Sequence, residues 1–209
     1  MFRAFLFLLL FGGCVSSFAA SPPPLLVLGD SLSAGYGLSP RDGWVTLLEQ
    51  RLQQSQPVRV VVNASISGET SAGGLARLPA LIAEHKPALV IVELGANDGL
   101  RGLPLAEIHA NLAKILTAIQ ASKARALLVG IELPVNYGPQ YRDGLRTMYR
   151  GLAAEFNVPL LPFLLDGVAL DPALMQDDGL HPKAAGEPRV LQNVWAVLAP
   201  ILGTVPVQR

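Results

Sequence analysis

"LLVLGDSLSAGYGL", residues 25–38, runs four apolar residues straight into Gly29, Asp30 and Ser31. A continuous apolar run of this length marks a strand covered on both faces. Such strands belong in a parallel sheet flanked by helices rather than in a half-exposed hairpin. α/β proteins place their ligands beyond the carboxyl ends of these strands. A serine at that position is either a reagent or the cap of a helix.

Working outward, apolar runs recur at Val58–Val62, Ala88–Leu94, Ala126–Ile131 and Val158–Leu161. Segments with helical spacing separate them, predicting helices over 44–54, 72–84, 105–121, 140–156 and 182–198. In the third of these, Leu105, Ile108, Leu112, Ile115, Leu116 and Ile119 form one apolar stripe. Five strands joined by helical crossovers imply an α/β fold, a three-layer α/β/α sandwich.

The 209 residues suit one domain, and with 51% hydrophobic and 15% charged residues the chain can bury a sizeable core. Sixteen basic residues balance sixteen acidic ones, with no basic stripe, which argues against nucleic acid as a partner. The first twenty residues differ in kind. Arg3 precedes the apolar stretch Ala4–Phe11, and small residues around Ala19 follow, the pattern of a secretory signal peptide. That stretch is too short to span a bilayer comfortably. Residues 1–20 are therefore read as a signal peptide and 21–209 as a single domain, periplasmic or secreted. The only cysteine, Cys14, lies in the leader, so the mature chain has no disulfide. An uncleaved interfacial anchor, or lipid attachment at Cys14 in "FGGC", is the minority alternative.

Three strand ends carry small and polar residues: "GDS" at 29–31, "NASISGET" at 63–70 and "ELGANDG" at 93–99. They can converge on one sheet edge. Catalysis by Ser31 would need a base, a group to orient that base, and donors for a developing oxyanion. Of the three histidines, His85 in "AEHKP" lies near a helix end as a solvated or capping residue, and His109 sits on the predicted third helix, whose apolar stripe does not need it. His181 lies in "QDDGLHP", three residues after Asp178, before a helix that Pro182 would start. In a tight turn that spacing lets the carboxylate accept the Nδ1 proton and leaves Nε2 free for Ser31. The alternative is an ordinary Asp-Gly turn. Donors of the right type are the Ser31 N–H, the Gly68 N–H and the Asn97 amide, although Gly68 and Asn97 are also ordinary turn residues. Asp30, beside the serine, is read as pinning the turn through hydrogen bonds to the backbone. One candidate histidine and a cysteine-free mature chain supply no metal site.

"GDSLS" at 29–33, "SGET" at 67–70, "GAND" at 95–98 and "DGLH" at 178–181 resemble, in order, the four blocks of the GDSL or SGNH hydrolase family. "SGETSAGGLARLPALIAEHKP" and "GANDGLRGLP" resemble its bacterial periplasmic thioesterase, lysophospholipase and arylesterase branch. Ala96 and Glu69 stand where close relatives often have Gly and Asp. The resemblance implies a flavodoxin-like five-stranded parallel sheet of order 2-1-3-4-5. It also implies a triad of Ser31, His181 and Asp178, with an oxyanion hole of Ser31, Gly68 and Asn97.

The expected substrate is a small-molecule acyl ester or thioester, cleaved by a monomer without cofactor or metal. Leu133, Pro134, Tyr137 and Gly138, in the loop after the fourth strand, are the candidate substrate-binding residues, with Gly138 a possible hinge. The apolar segment 163–175 either covers the site or packs against the body. Two alternatives stay open: a carbohydrate O-acetylesterase, and a secreted small-ligand binding protein that uses the same edge without chemistry.

Overall fold

The structure, a computed structural model, describes residues 22–55 and 58–203. The signal-peptide and Cys14 assignments lie outside the described residues.

Five strands form one parallel sheet: β1 (Leu25–Gly29), β2 (Val61–Asn63), β3 (Leu89–Glu93), β4 (Arg125–Val129) and β5 (Leu160–Leu161). Their order is β2-β1-β3-β4-β5, as the resemblance implied. β1 and β3 pair along their full length, from Leu25 beside Leu89 to Gly29 beside Glu93. Glycine and glutamate therefore end side by side at the carboxyl edge.

Alternation along each strand divides the core into two layers. Leu25, Val27, Leu89, Ile91, Leu127 and Val129 face α2 (Trp44–Gln53) and α7 (Glu187–Leu202). Leu26, Leu28, Val90, Val92, Ala126 and Leu128 face α3 (Ser71–His85), α5 (Leu105–Ala121) and α6 (Pro139–Glu155). The stripe read on 105–121 is the buried face of α5, with Ile108, Leu112, Ile115, Leu116 and Ile119 fully inside and Leu105 packed at its margin. Pro139 opens α6, where its fixed φ and missing N–H cost nothing. Two very short helices stand at strand ends: α1 (Ser31–Ala34) after β1 and α4 (Ala96–Leu100) after β3.

Two expected boundaries are corrected. The second strand begins at Val61 rather than Val58, because this edge strand pairs only with β1. Val58 and Val60 are exposed, while Arg59 is buried with its guanidinium donating to the Leu202 carbonyl. The final helix begins at Glu187, not at Pro182. Pro182 is held in an antiparallel bridge with Met175, and the Lys183 N–H donates to the Leu174 carbonyl. The chain must leave this clip and turn before a helix can start, and Pro188 then occupies the first turn.

Candidate active site

Ser31 is the first residue of α1 and Asp30 is its N-cap. The Asp30 side chain accepts the Leu32 N–H at 3.0 Å, the backbone pinning expected of it, and this fixes Ser31 at the edge of the sheet. His181 comes from the far end of the sequence. Its Nε2 lies 2.8 Å from Ser31 Oγ, and its Nδ1 lies 2.6 Å from Asp178 Oδ2. Asp178 Oδ1 accepts the N–H groups of Leu180 and His181, so one carboxylate organises the turn and faces the ring. Burial pushes the Asp178 carboxyl upward, but the bonds from the imidazole and these two N–H groups outweigh it and hold the group below the usual range. An ionised Asp178 keeps the proton on Nδ1, leaving Nε2 as an acceptor for the serine hydroxyl. The geometry can therefore move the Ser31 proton onto His181.

Two residues without a sequence-assigned role hold the imidazole loop. Gln176 Nε2 donates to the carbonyls of Tyr36 and Pro182, stapling the loop after α1 to the His181 turn. The Tyr36 ring packs against the imidazole at 4.6 Å between centroids. His85 and His109 stand apart, near Glu84 and Glu155 respectively.

Asn97 sits in α4, whose N-cap, Gly95, has φ +116, a left-handed conformation suited to glycine; a Cβ there would also meet the Tyr149 hydroxyl. Its amide nitrogen lies 3.0 Å from Asp30 Oδ2 and 2.9 Å from the Glu69 carbonyl. Both partners are acceptors, so the NH₂ group must face them. Gly68, at φ +81, occupies the exposed turn before α3, and its carbonyl accepts Arg101 Nη2. The Glu69 carboxylate pairs with Arg77 at 2.7 Å and contributes only its backbone carbonyl to this region.

Behind Ser31 lies a pair of acids without a cationic partner among the described residues. Asp30 and Glu93 are both fully buried. Glu93 Oε2 accepts the Ser33 hydroxyl at 2.7 Å and the Asp30 N–H at 3.2 Å, while its Oε1 has no hydrogen-bond partner. Burial drives the Glu93 carboxyl well above its ordinary value, and the nearby Asp30 charge adds to the effect. Burial also lifts Asp30 to about 6, against the bonds from Leu32 and Asn97 and the attraction of His181. The sequence carried a signal for Glu93: a carboxylate closing a run, "LVIVE", that is otherwise buried and apolar.

A cavity of about 160 Å³ opens beside Ser31 and His181, lined by Leu100, Ile131, Leu133, Pro134, Phe163 and Leu165 among others. Across a shared wall of Leu133, Pro134, Phe163, Leu165 and Leu180 lies a groove of about 340 Å³ that Val135, Ala169, Leu170 and Met175 also line. Segment 163–175 thus does both things expected of it, since Leu164 and Val168 pack inside the core. Leu133 and Pro134 line the cavity. Tyr137 and Gly138 line neither space; the Tyr137 hydroxyl donates to the Leu100 carbonyl, and Gly138 caps the loop at φ +76 before α6.

The model of the GDSL-like lipase/acylhydrolase family matches residues 27–188. The chain is 50% identical over 198 residues to esterase TesA of Pseudomonas aeruginosa, covering 93% of this chain and 98% of that one. It is 47% identical over 184 residues to thioesterase 1/protease 1/lysophospholipase L1 of Escherichia coli K12, covering 88% and 87% of the two chains. A crystal structure of TesA superposes with a TM-score of 0.83 at 53% identity, covering 85% of this chain and 99% of that one.

Proposed function

Because the chain belongs to the GDSL-like lipase/acylhydrolase family, we propose that it is a serine hydrolase that cleaves acyl esters and thioesters through an acyl-enzyme. The observation that carries this reading is the unbroken hydrogen-bond chain from Ser31 Oγ through His181 to Asp178 at the rim of an apolar cavity. Ser31 is the nucleophile, His181 the general base and then acid, and Asp178 the group that orients the ring. The Ser31 hydroxyl proton passes to Nε2 as Oγ attacks the acyl carbonyl. The oxyanion is received by the N–H groups of Ser31 and Gly68 and by the Asn97 amide. The imidazolium returns its proton to the leaving alcohol or thiol, which departs. A water molecule then repeats the sequence and frees the acid.

The apolar wall of Leu133, Pro134, Phe163 and Leu165 favours an acyl chain over a bare acetyl group, and the adjoining groove gives a longer chain room beyond it. The names of the relatives, an esterase and a thioesterase/lysophospholipase, support the same substrate class. The chemistry needs side chains, backbone donors and water only. In this reading residues 1–20 export the chain to the periplasm, and the remainder works as a monomeric domain.

The test is turnover of p-nitrophenyl esters from acetyl to palmitoyl by the wild type and by Ser31→Ala. Release that depends on Ser31, with an optimum beyond acetyl, is the expected result. Equal release by both proteins would remove Ser31 as nucleophile, and an acetyl optimum would favour the O-acetylesterase reading.

A further inference from the structure

The acid pair behind the nucleophile contains more hydrogen-bonding information than capping one turn requires. Asp30 accepts on both oxygens, from the Leu32 N–H and from the Asn97 amide. Glu93 receives two donors on Oε2 and none on Oε1. Glu93 accepts the Asp30 backbone N–H, and two fully buried carboxylates this close in the fold do not both stay ionised without a cation between them, so the pair carries a proton. The donors leave one free oxygen for it, Glu93 Oε1. Burial drives Glu93 well above its ordinary value, in agreement with that location.

This arrangement has a consequence for Asn97. With one amide proton held by Asp30, the other points at the carbonyl of Glu69, the residue that follows Gly68 in the chain. We propose that Asp30 is the positioning residue of the oxyanion site: as a carboxylate beside a protonated Glu93, it fixes the rotation of the Asn97 amide so that its second N–H faces Gly68. An oxyanion received between Gly68 and Asn97 then shares the proton that rests on the Glu69 carbonyl in the free protein. The inference rests on the oxyanion roles given to Asn97 and Gly68 above. Glu93 acts one step further back, because its acid proton leaves Asp30 free to accept on both sides.

Asp30→Asn tests it. Asparagine presents one acceptor and one donor end, so it cannot serve both Leu32 N–H and the Asn97 amide, whichever way it turns. Asn97→Ala should lower kcat on the order of 10² to 10³. Asp30→Asn should lower it similarly with little change in KM, and the double variant should be no slower than the poorer single variant, because both remove the same donor. Multiplying losses would mean that Asp30 acts elsewhere and would overturn the proposal. A slow Asn97→Ala beside a normal Asp30→Asn would overturn it while leaving the oxyanion reading standing, whereas a normal Asn97→Ala would remove both. Should Asp30→Asn fail to fold, carboxyl ¹³C NMR of the wild type decides. At pH 8, above the value of about 7 to which burial lifts Glu187, a buried protonated carboxyl signal should persist in the wild type and disappear in Glu93→Gln; its absence from the wild type would refute the pairing.

Discussion

Glu187 offers a quantitative check on the packing of α7 against α2, away from the chemistry. It is 1% exposed, and Oε2 accepts the Trp44 N–H at 2.7 Å, joining the starts of the two helices. Among the described residues it has no cationic partner. Burial lifts its carboxyl from the ordinary 4.5 to about 7, against the pull of the Trp44 bond. A folded value above the unfolded one means that the native state holds the proton more tightly. The stability associated with it is fully present below about pH 4.5 and is lost as pH rises through about 7. At about 1.36 kcal/mol per unit, the loss comes to roughly 3 kcal/mol. Glu187→Gln retains an acceptor for Trp44 and removes the buried charge, so it stands in for the protonated carboxyl at every pH. The variant should therefore match the wild type near pH 4.5 and exceed it by roughly 3 kcal/mol at pH 8, with esterase turnover unchanged. Urea unfolding of both proteins at several pH values measures this, and the difference between the two curves cancels groups that they share, including Asp30 and Glu93. Parallel stability curves from pH 4.5 to 8 would refute the reasoning.

Asp178→Asn should keep the turn, since an amide oxygen can still accept from Leu180 and His181, but its NH₂ would face Nδ1 and drive the ring proton onto Nε2. Turnover should fall on the order of 10³ to 10⁴ without loss of thermal stability; steady-state kinetics beside a thermal melt would show whether the two separate. Leu133→Trp has no room to retreat, because a Cβ on Gly99 would already lie 2.8 Å from Leu133 Cδ1. The indole should project into the cavity and shift the ester optimum toward shorter chains, and an unchanged chain-length profile would remove Leu133 from the acyl wall.

The central strands were legible because each is covered on both faces, so an unbroken apolar run such as Leu25–Leu28 has few other conformations in a chain of this length. Asp178 and His181 were legible for a local reason: three residues in one tight turn suffice to join carboxylate and imidazole. The end of the sheet was less legible. Val58 and Val60 look like strand residues by composition, but on an edge strand pairing with one neighbour decides where the ladder begins. Pro182 looks like a helix start by local preference, yet its bridge to Met175 takes precedence.

The sequence by itself determined the layers, the helical crossovers and the chemical inventory of the carboxyl edge, because periodicity and residue type are local properties. Only the tertiary structure decided that Glu93 ends beside Gly29 and shares the Asp30 N–H, that both protons of Asn97 are already engaged, and that Tyr36 and Gln176 steady His181. Those relations join residues 28 to 145 positions apart, and strand register and burial set them rather than any pattern within a single segment.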